Sequence, residues 1–186
     1  WLLGLLQGTR SSGASAGPGL RVEEMGEIGP AFDRLWERTK GLHRLTNVRT
    51  SDILRWHCLA DRQVEKKLFA CWSQDEVAGW MIVKSNRRRG LKALEVVDYW
   101  ADPAFSGAFA SLLTAVLAHG AAGGFDLAIF GHFSQAFESL LRGAGLWEVP
   151  LKARRNLCLA GPACPVSAVG EGAYFTALQG DYGTSP

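Results

Sequence analysis

Between residues 104 and 125 the chain carries no Asp, Glu, Lys or Arg, and this stretch limits what the rest can fold into. Its length alone would let it cross a bilayer. Its content argues otherwise. Ser106, Thr114 and His119 interrupt it, alanine outnumbers leucine, and Gly123-Gly124 breaks it just before a short apolar run over 125–131. An uncharged helix (105–119) stopped by glycine and followed at once by a buried strand reads as the crossover between two parallel strands of an α/β domain. No membrane span is expected.

The strands before that helix follow from period and punctuation. Residues 68–72, 77–84 and 91–100 are rich in β-branched and aromatic side chains, and polar turns at 73–75 and 85–90 separate them. Turns this short make the neighbours antiparallel, so a three-strand meander feeds the crossover, and Asp102-Pro103 ends its last strand. Upstream, 20–28 suits a first strand. Pro30 opens a helix with Phe32, Leu35 and Trp36 on one stripe and Gly41 as its stop. Thr50 or Ser51 caps a second helix in which Ile53, Leu54 and Trp56 are expected to supply buried bulk. Downstream, Ser134 caps a helix with Phe137, Leu140 and Leu141 on one face, and 146–149, 156–160 and 173–178 read as closing strands. The fold class is α/β, a mixed central sheet flanked by helices.

A chain of 186 residues holds one ordinary domain and a tail. Trp1 to Leu6 is apolar and 7–19 has the Gly/Ser/Ala composition of a linker, so 1–19 is expected to be the end of a preceding element plus linker, 20–180 the domain, and 181–186 a tail. A first residue other than Met suits a piece of a longer chain. With 20 Lys+Arg against 18 Asp+Glu there is no field to gather nucleic acid, which is not expected as a partner. Cys58, Cys71, Cys158 and Cys164 show neither C-x-x-C spacing nor paired histidines at zinc-site distance, so no metal is expected. Reduced thiols in a cytoplasmic protein are the expected state.

Several local sequences resemble the GCN5-related N-acetyltransferase (GNAT) superfamily in this same order of elements. Val77-Ala78-Gly79-Trp80 is similar to its second meander strand, residues 95–103 (EVVDYWADP) to its cofactor-facing strand running into a proline, and 136–146, ending Gly145-Leu146, to its late helix. Leu54-Arg55-Trp56 and the closing 174–181 (YFTALQGD) resemble the C-terminal half of two-module GNAT or FemAB-like proteins, some associated with cell-envelope biosynthesis. The resemblance implies transfer of an acyl group from acetyl-CoA or another acyl-CoA to a small-molecule amine or a cell-envelope precursor, with an upstream GNAT-like half as partner. Two alternatives accompany it: a catalytically silent module of the same fold, and FemAB-like transfer from an aminoacyl-tRNA.

The same resemblance assigns positions. Two strands are expected to splay beside 99–101, freeing main-chain groups of Tyr99, Trp100 and Ala101 for the pantetheine arm. Phe105, Ser106, Gly107 and Ala108 match the loop and helix start that meet the pyrophosphate. That loop departs from the family: one glycine remains, no basic residue is present, and Phe109 stands near the second glycine position. Leu141 falls where the family places a tyrosine acid. Amine acylation needs a proton acceptor and a proton donor, and the residues able to serve are His132, Asp98 and Tyr99, with Glu95 beside them. Strand alternation puts Glu95, Val97 and Tyr99 on one face and Asp98 on the other unless a bulge intervenes. Arg55 and Trp56 are the candidates for contact with the acceptor.

Overall fold

The computed structural model describes residues 2–5, 19–60, 64–130, 135–144, 147–148, 173–174 and 176. His132, Cys158, Cys164, the strand expected over 156–160 and the linker and tail calls over 7–18 and 181–186 lie outside them.

A seven-stranded sheet organises the chain. In chain order, β1 is Leu2–Leu5, β2 Leu20–Met25, β3 Leu45–Thr46, β4 Lys66–Ser73, β5 Glu76–Arg88, β6 Leu91–Ala101, β7 Leu127–Phe130, β8 Trp147–Glu148 and β9 Ala173–Tyr174. The helices are α1 Pro30–Thr39, α2 Ser51–Arg55, α3 Ala108–Ala122 and α4 Gln135–Gly143. The large sheet runs β2-β4-β5-β6-β7-β1-β8, and β3 pairs with β9 in a separate ribbon. Strands β2, β4, β5 and β6 are mutually antiparallel, while β6 and β7 are parallel and joined through α3, which is the expected meander and crossover. Segment 1–6, read as the tail of a preceding element, contributes β1, antiparallel to both β7 and β8.

The hairpin between β5 and β6 is tighter than expected. Arg88 pairs with Leu91, so only Arg89 and Gly90 turn, both at positive φ (51° and 86°). That is the backbone a two-residue hairpin requires, and Gly90 supplies half of it without strain. Arg87 and Arg88 therefore belong to the strand.

Alternation along β6 places the layers. The Trp100 ring packs on Trp36 of α1, whereas the next residue back, Tyr99, meets Phe109 of α3 and Phe137 of α4, so α1 covers one face and α3 with α4 the other. Phe32, Leu35 and Trp36 are buried as their spacing predicts. In α2 only Ser51 and Leu54, three apart, point inward, while Ile53 and Trp56 face solvent. The correction has a cause: α2 lasts only five residues before Trp56–Ala60 widens into a π-turn, which changes the angular phase. The α2 start is also capped from outside itself. Asp33 of α1 accepts hydrogen bonds from the Ser51 amide at 2.8 Å and hydroxyl at 2.7 Å.

Gly79 holds β5 against the end of β6. A Cβ there would lie 2.7 Å from Ala101 Cβ and 2.9 Å from the Trp100 carbonyl oxygen. Gly79→Val should therefore cost about 1–3 kcal/mol, the usual range for overpacking, and lower the urea midpoint. A midpoint unchanged within error would show that the two strands can part freely.

Candidate functional site

Pairing between β6 and β7 covers only Ala93–Val96 against Leu127–Phe130, yet β6 continues to Ala101. Among the described residues, β6 from Val97 onward has a ladder partner on the β5 side alone. The hydrogen bond from the Asp102 amide to the Ala78 carbonyl fixes the phase of the β5–β6 ladder. Trp100 and Asp98, opposite Trp80 and Ile82, exchange bonds with β5, so the main-chain groups of Tyr99 and Ala101 point to the β7 side while those of Trp100 do not.

A bulge precedes this stretch. Ile82 pairs with Asp98 and Val83 with Val96, leaving Val97 as the extra residue of β6. Glu95 and Asp98 thereby come to one face, opposite Lys84 and Ile82, and the expectation that Glu95 shares a face with Tyr99 is corrected. Asp98 and Tyr99 remain on opposite faces, because the bulge lies before both.

Asp98 is sealed. Its side chain is 0% exposed and lies against Arg49, which is 1% exposed, with Nε donating to Oδ2 at 3.0 Å and a second guanidinium nitrogen to Oδ1 at 3.4 Å. Oδ1 also accepts the Tyr99 amide at 2.9 Å. The remaining Arg49 donors reach Thr46 Oγ1 at 2.5 Å and the Asn47 carbonyl at 2.9 Å, and the guanidinium lies over Trp100 at 4.5 Å and Tyr174 at 5.1 Å. Trp100 Nε1 donates to Thr39 Oγ1 at 2.7 Å.

Tyr99 is packed rather than open: its ring stacks on Phe137 at 5.0 Å and meets Phe109 edge-on at 5.4 Å. Burial, with the Cys71 thiol nearby, pushes its hydroxyl far above the ordinary tyrosine range. Its carbonyl is already engaged, accepting the Tyr174 hydroxyl at 2.6 Å. Parallel pairing of β9 with β3, closed by Thr46 Oγ1 donating to the Tyr174 carbonyl at 2.9 Å, brings that tyrosine to the corner. Of the two main-chain positions on the β7 side, Tyr99 is thus satisfied internally, while Ala101 has no ladder partner there among the described residues and is partly exposed.

The strand then turns into α3. Asp102 Oδ1 accepts the Ala104 amide at 2.9 Å, the Asp102 carbonyl accepts Phe105 and the Phe105 carbonyl accepts Ala108, each at 3.1 Å. Gly107 takes the cap position of α3 at φ 96° with no side-chain bond, and Ser106 before it is exposed. Residues 100, 101 and 105–108 therefore form one continuous path from the strand end to the first turn of α3, where an incoming anion would meet amides and the positive end of the helix. The loop has no basic residue of its own, and Arg38 of α1 reaches its base, donating to Asp102 at 3.2 Å and to the Val77 carbonyl at 3.1 Å.

Two expected residues sit apart from this path. Arg55 donates to the Ile28 carbonyl at 2.9 Å and pairs with Asp52, and Trp56 is 61% exposed, edge-on to His57. No contact among the described residues joins them to Ala101. Three residues not singled out from the sequence do converge there: Arg49, Tyr174 and His43. A lone aspartate in a strand apolar on both faces was the available sign of a buried cation. His43 stacks on Tyr174 at 4.8 Å and meets Trp100 at 5.4 Å, and nothing in its local sequence marks it. Burial, then the nearby Arg49 charge, lowers its pKa.

The antiparallel meander joined through a crossover helix to a parallel strand makes this the fold of the GNAT-superfamily N-acetyltransferases. Among solved structures, the chain is similar to an aminoglycoside acetyltransferase from an uncultured soil metagenomic sample, in complex with sisomicin (TM-score 0.57, 14% identity, 77% of this chain and 100% of that one). It is similar also to ribosomal-protein-alanine N-acetyltransferase from Brucella melitensis biovar Abortus 2308 (TM-score 0.54, 14%, 76% and 99%). A third is an aminoglycoside 6′-acetyltransferase bound to a CoA-based bisubstrate analogue (0.55, 13%, 75% and 99%). No protein-family model and no curated protein matches the chain. No helix among the described residues is long and apolar enough to cross a membrane.

Proposed function

We propose that this protein is an acyl-CoA-dependent N-acyltransferase that moves an acetyl group to a small-molecule amine, a cell-envelope precursor being the class suggested by the C-terminal sequence. The observation that carries this reading is β6 running on past its pairing with β7: among the described residues, the main-chain groups at Ala101 have no strand partner on that side, beside the first turn of α3. Polar groups so placed favour a ligand that supplies hydrogen bonds, because leaving them buried and unmet costs about 1–3 kcal/mol each. The acetyltransferase activity of its structural neighbours supports the same choice. In this reading Ala101 and 105–108 hold the cofactor, with Trp100, bonded to β5, fixing the position of Ala101, and the amine attacks the thioester carbonyl so that the C–S bond breaks and CoA leaves as the thiol.

A second reading, a silent module of the same fold, rests on the Tyr174 hydroxyl already occupying the Tyr99 carbonyl and on the rings of Phe109 and Phe137 packed at Tyr99. Thermal melting separates the two. Acetyl-CoA at a hundred times its Kd stabilises by about 2.7 kcal/mol, roughly 5–10 °C for a chain of this size. Tyr174→Phe, which frees the Tyr99 carbonyl, should leave that rise intact or increase it. No rise at millimolar acetyl-CoA in either protein would decide for the silent module.

A further inference from the structure

The corner beside Ala101 contains several titratable groups, and most are unable to exchange a proton with an incoming amine. Asp98 is fully buried and held by Arg49. Glu95 lies on the same face but six residues before Ala101 along β6, opposite Lys84, where it accepts Asn86 Nδ2 at 2.7 Å. Tyr99 is locked among aromatic rings, and the Tyr174 hydroxyl donates to a carbonyl. His43 differs from all four. It is only partly buried, it makes ring contacts alone, and neither of its nitrogens has a hydrogen-bond partner among the described residues. The chain segment after α1, which ends in a 3₁₀ turn at Leu42, delivers it onto the two rings that frame the splay, Trp100 on β6 and Tyr174 on β9.

We infer that His43 is the proton acceptor for the acceptor amine, a role that rests on the acyltransferase reading above. An alkylamine arrives as the ammonium ion, which has no lone pair to attack with. One proton passes from it to an imidazole nitrogen of His43, and the freed amine attacks the acetyl carbonyl. The tetrahedral adduct collapses with loss of the C–S bond, the second nitrogen proton goes with the departing thiolate, and His43 returns its proton to solvent. The balance is one amide, one CoA thiol and one proton released.

The surroundings suit that duty. Stacking on Tyr174 fixes the ring plane. The charged and titratable groups facing it are Arg49 from the β3–α2 segment and Tyr174 from β9, with Asp98 of β6 behind Arg49; Trp100 carries no charge. Arg49 beside it and partial burial both disfavour the imidazolium. The ring is therefore neutral, ready to accept, down to a lower pH than an unperturbed histidine.

The test uses the full chain, with acetyl-CoA as donor and methylamine as a generic amine. Histidine ring signals are followed by long-range ¹H–¹⁵N NMR against pH, with His43→Gln identifying the relevant set, and acetyl-CoA binding is verified separately by melting temperature. We expect His43 to titrate below the ordinary histidine range and its signals to move when acetyl-CoA binds. CoA release into methylamine should fall about 10²- to 10⁴-fold in His43→Gln, the usual worth of a general base, with the acid limb of the pH profile lost and the melting shift retained. Bound acetyl-CoA that leaves the His43 signals unmoved, or a variant that releases CoA within twofold of the original, overturns the role of His43 while the acyltransferase reading stands. Absence of any melting shift in the unaltered protein overturns that reading, and His43 falls with it.

Discussion

Arg49→Ala is expected to destabilise the protein by about 3–5 kcal/mol, the cost of removing one partner from a buried ion pair. The effect is large because the substitution leaves the Asp98 carboxyl buried without its partner: neither side chain has meaningful exposure, and no other cation is paired with it among the described residues. It also withdraws donors from Thr46 and the Asn47 carbonyl and a flat cation from the faces of Trp100 and Tyr174. Urea unfolding measures it as a drop in midpoint at constant slope. The pair itself need not be strongly stabilising, since apolar replacements of both partners are often neutral or better. Arg49→Met with Asp98→Leu should therefore cost less than either single change. If Arg49→Ala shifts stability by under 1 kcal/mol, the pair is not holding β3 and β6 together.

Trp100→Ala should cost a comparable amount, about 3–5 kcal/mol. The ring is buried, packs on Trp36, His43 and Tyr174, carries the Arg49 guanidinium, and donates to Thr39. Trp100→Phe keeps most of the apolar area and loses the hydrogen bond, so a smaller loss is expected, with acetyl-CoA binding preserved because the Trp100 main chain is bonded to β5 and its ring packs against α1. Equal destabilisation by both variants in urea would place the whole effect in the indole N–H. A Phe variant that folds normally but no longer binds acetyl-CoA would mean that the side chain itself touches the ligand.

How much could be read in advance follows from where the information lies. Runs of apolar, β-branched and aromatic residues bounded by polar turns marked β4, β5 and β6, and the uncharged stretch over 104–125 marked α3 and its parallel strand, because both signals are local. The pairing of β1 with β7 is not local: four apolar residues before a Gly/Ser-rich segment look the same whether they belong to this sheet or to another. The bulge at Val97 carries no glycine or other marker, so the faces of Glu95 and Asp98 could not be assigned from alternation. Trp56 misled for a different reason, since a helix ending after one turn has no stable phase to extrapolate. Within the site, assigning 100–108 to a cofactor rests on resemblance, and only the strand end at Asp102-Pro103 was legible from turn chemistry. His43 and Tyr174 were not, because they meet only through tertiary packing.

Amide hydrogen exchange of the full chain, with and without saturating acetyl-CoA, tests the proposed cofactor path most directly. Slowed exchange concentrated at Ala101 and in the first turn of α3, around Ala108, Phe109 and Ala110, is the expected pattern, with the β4–β5 ladder unchanged. Exchange rates identical in the two samples across 99–110, at a ligand concentration near ten millimolar, would contradict it and leave a fold whose open strand edge binds no acyl carrier.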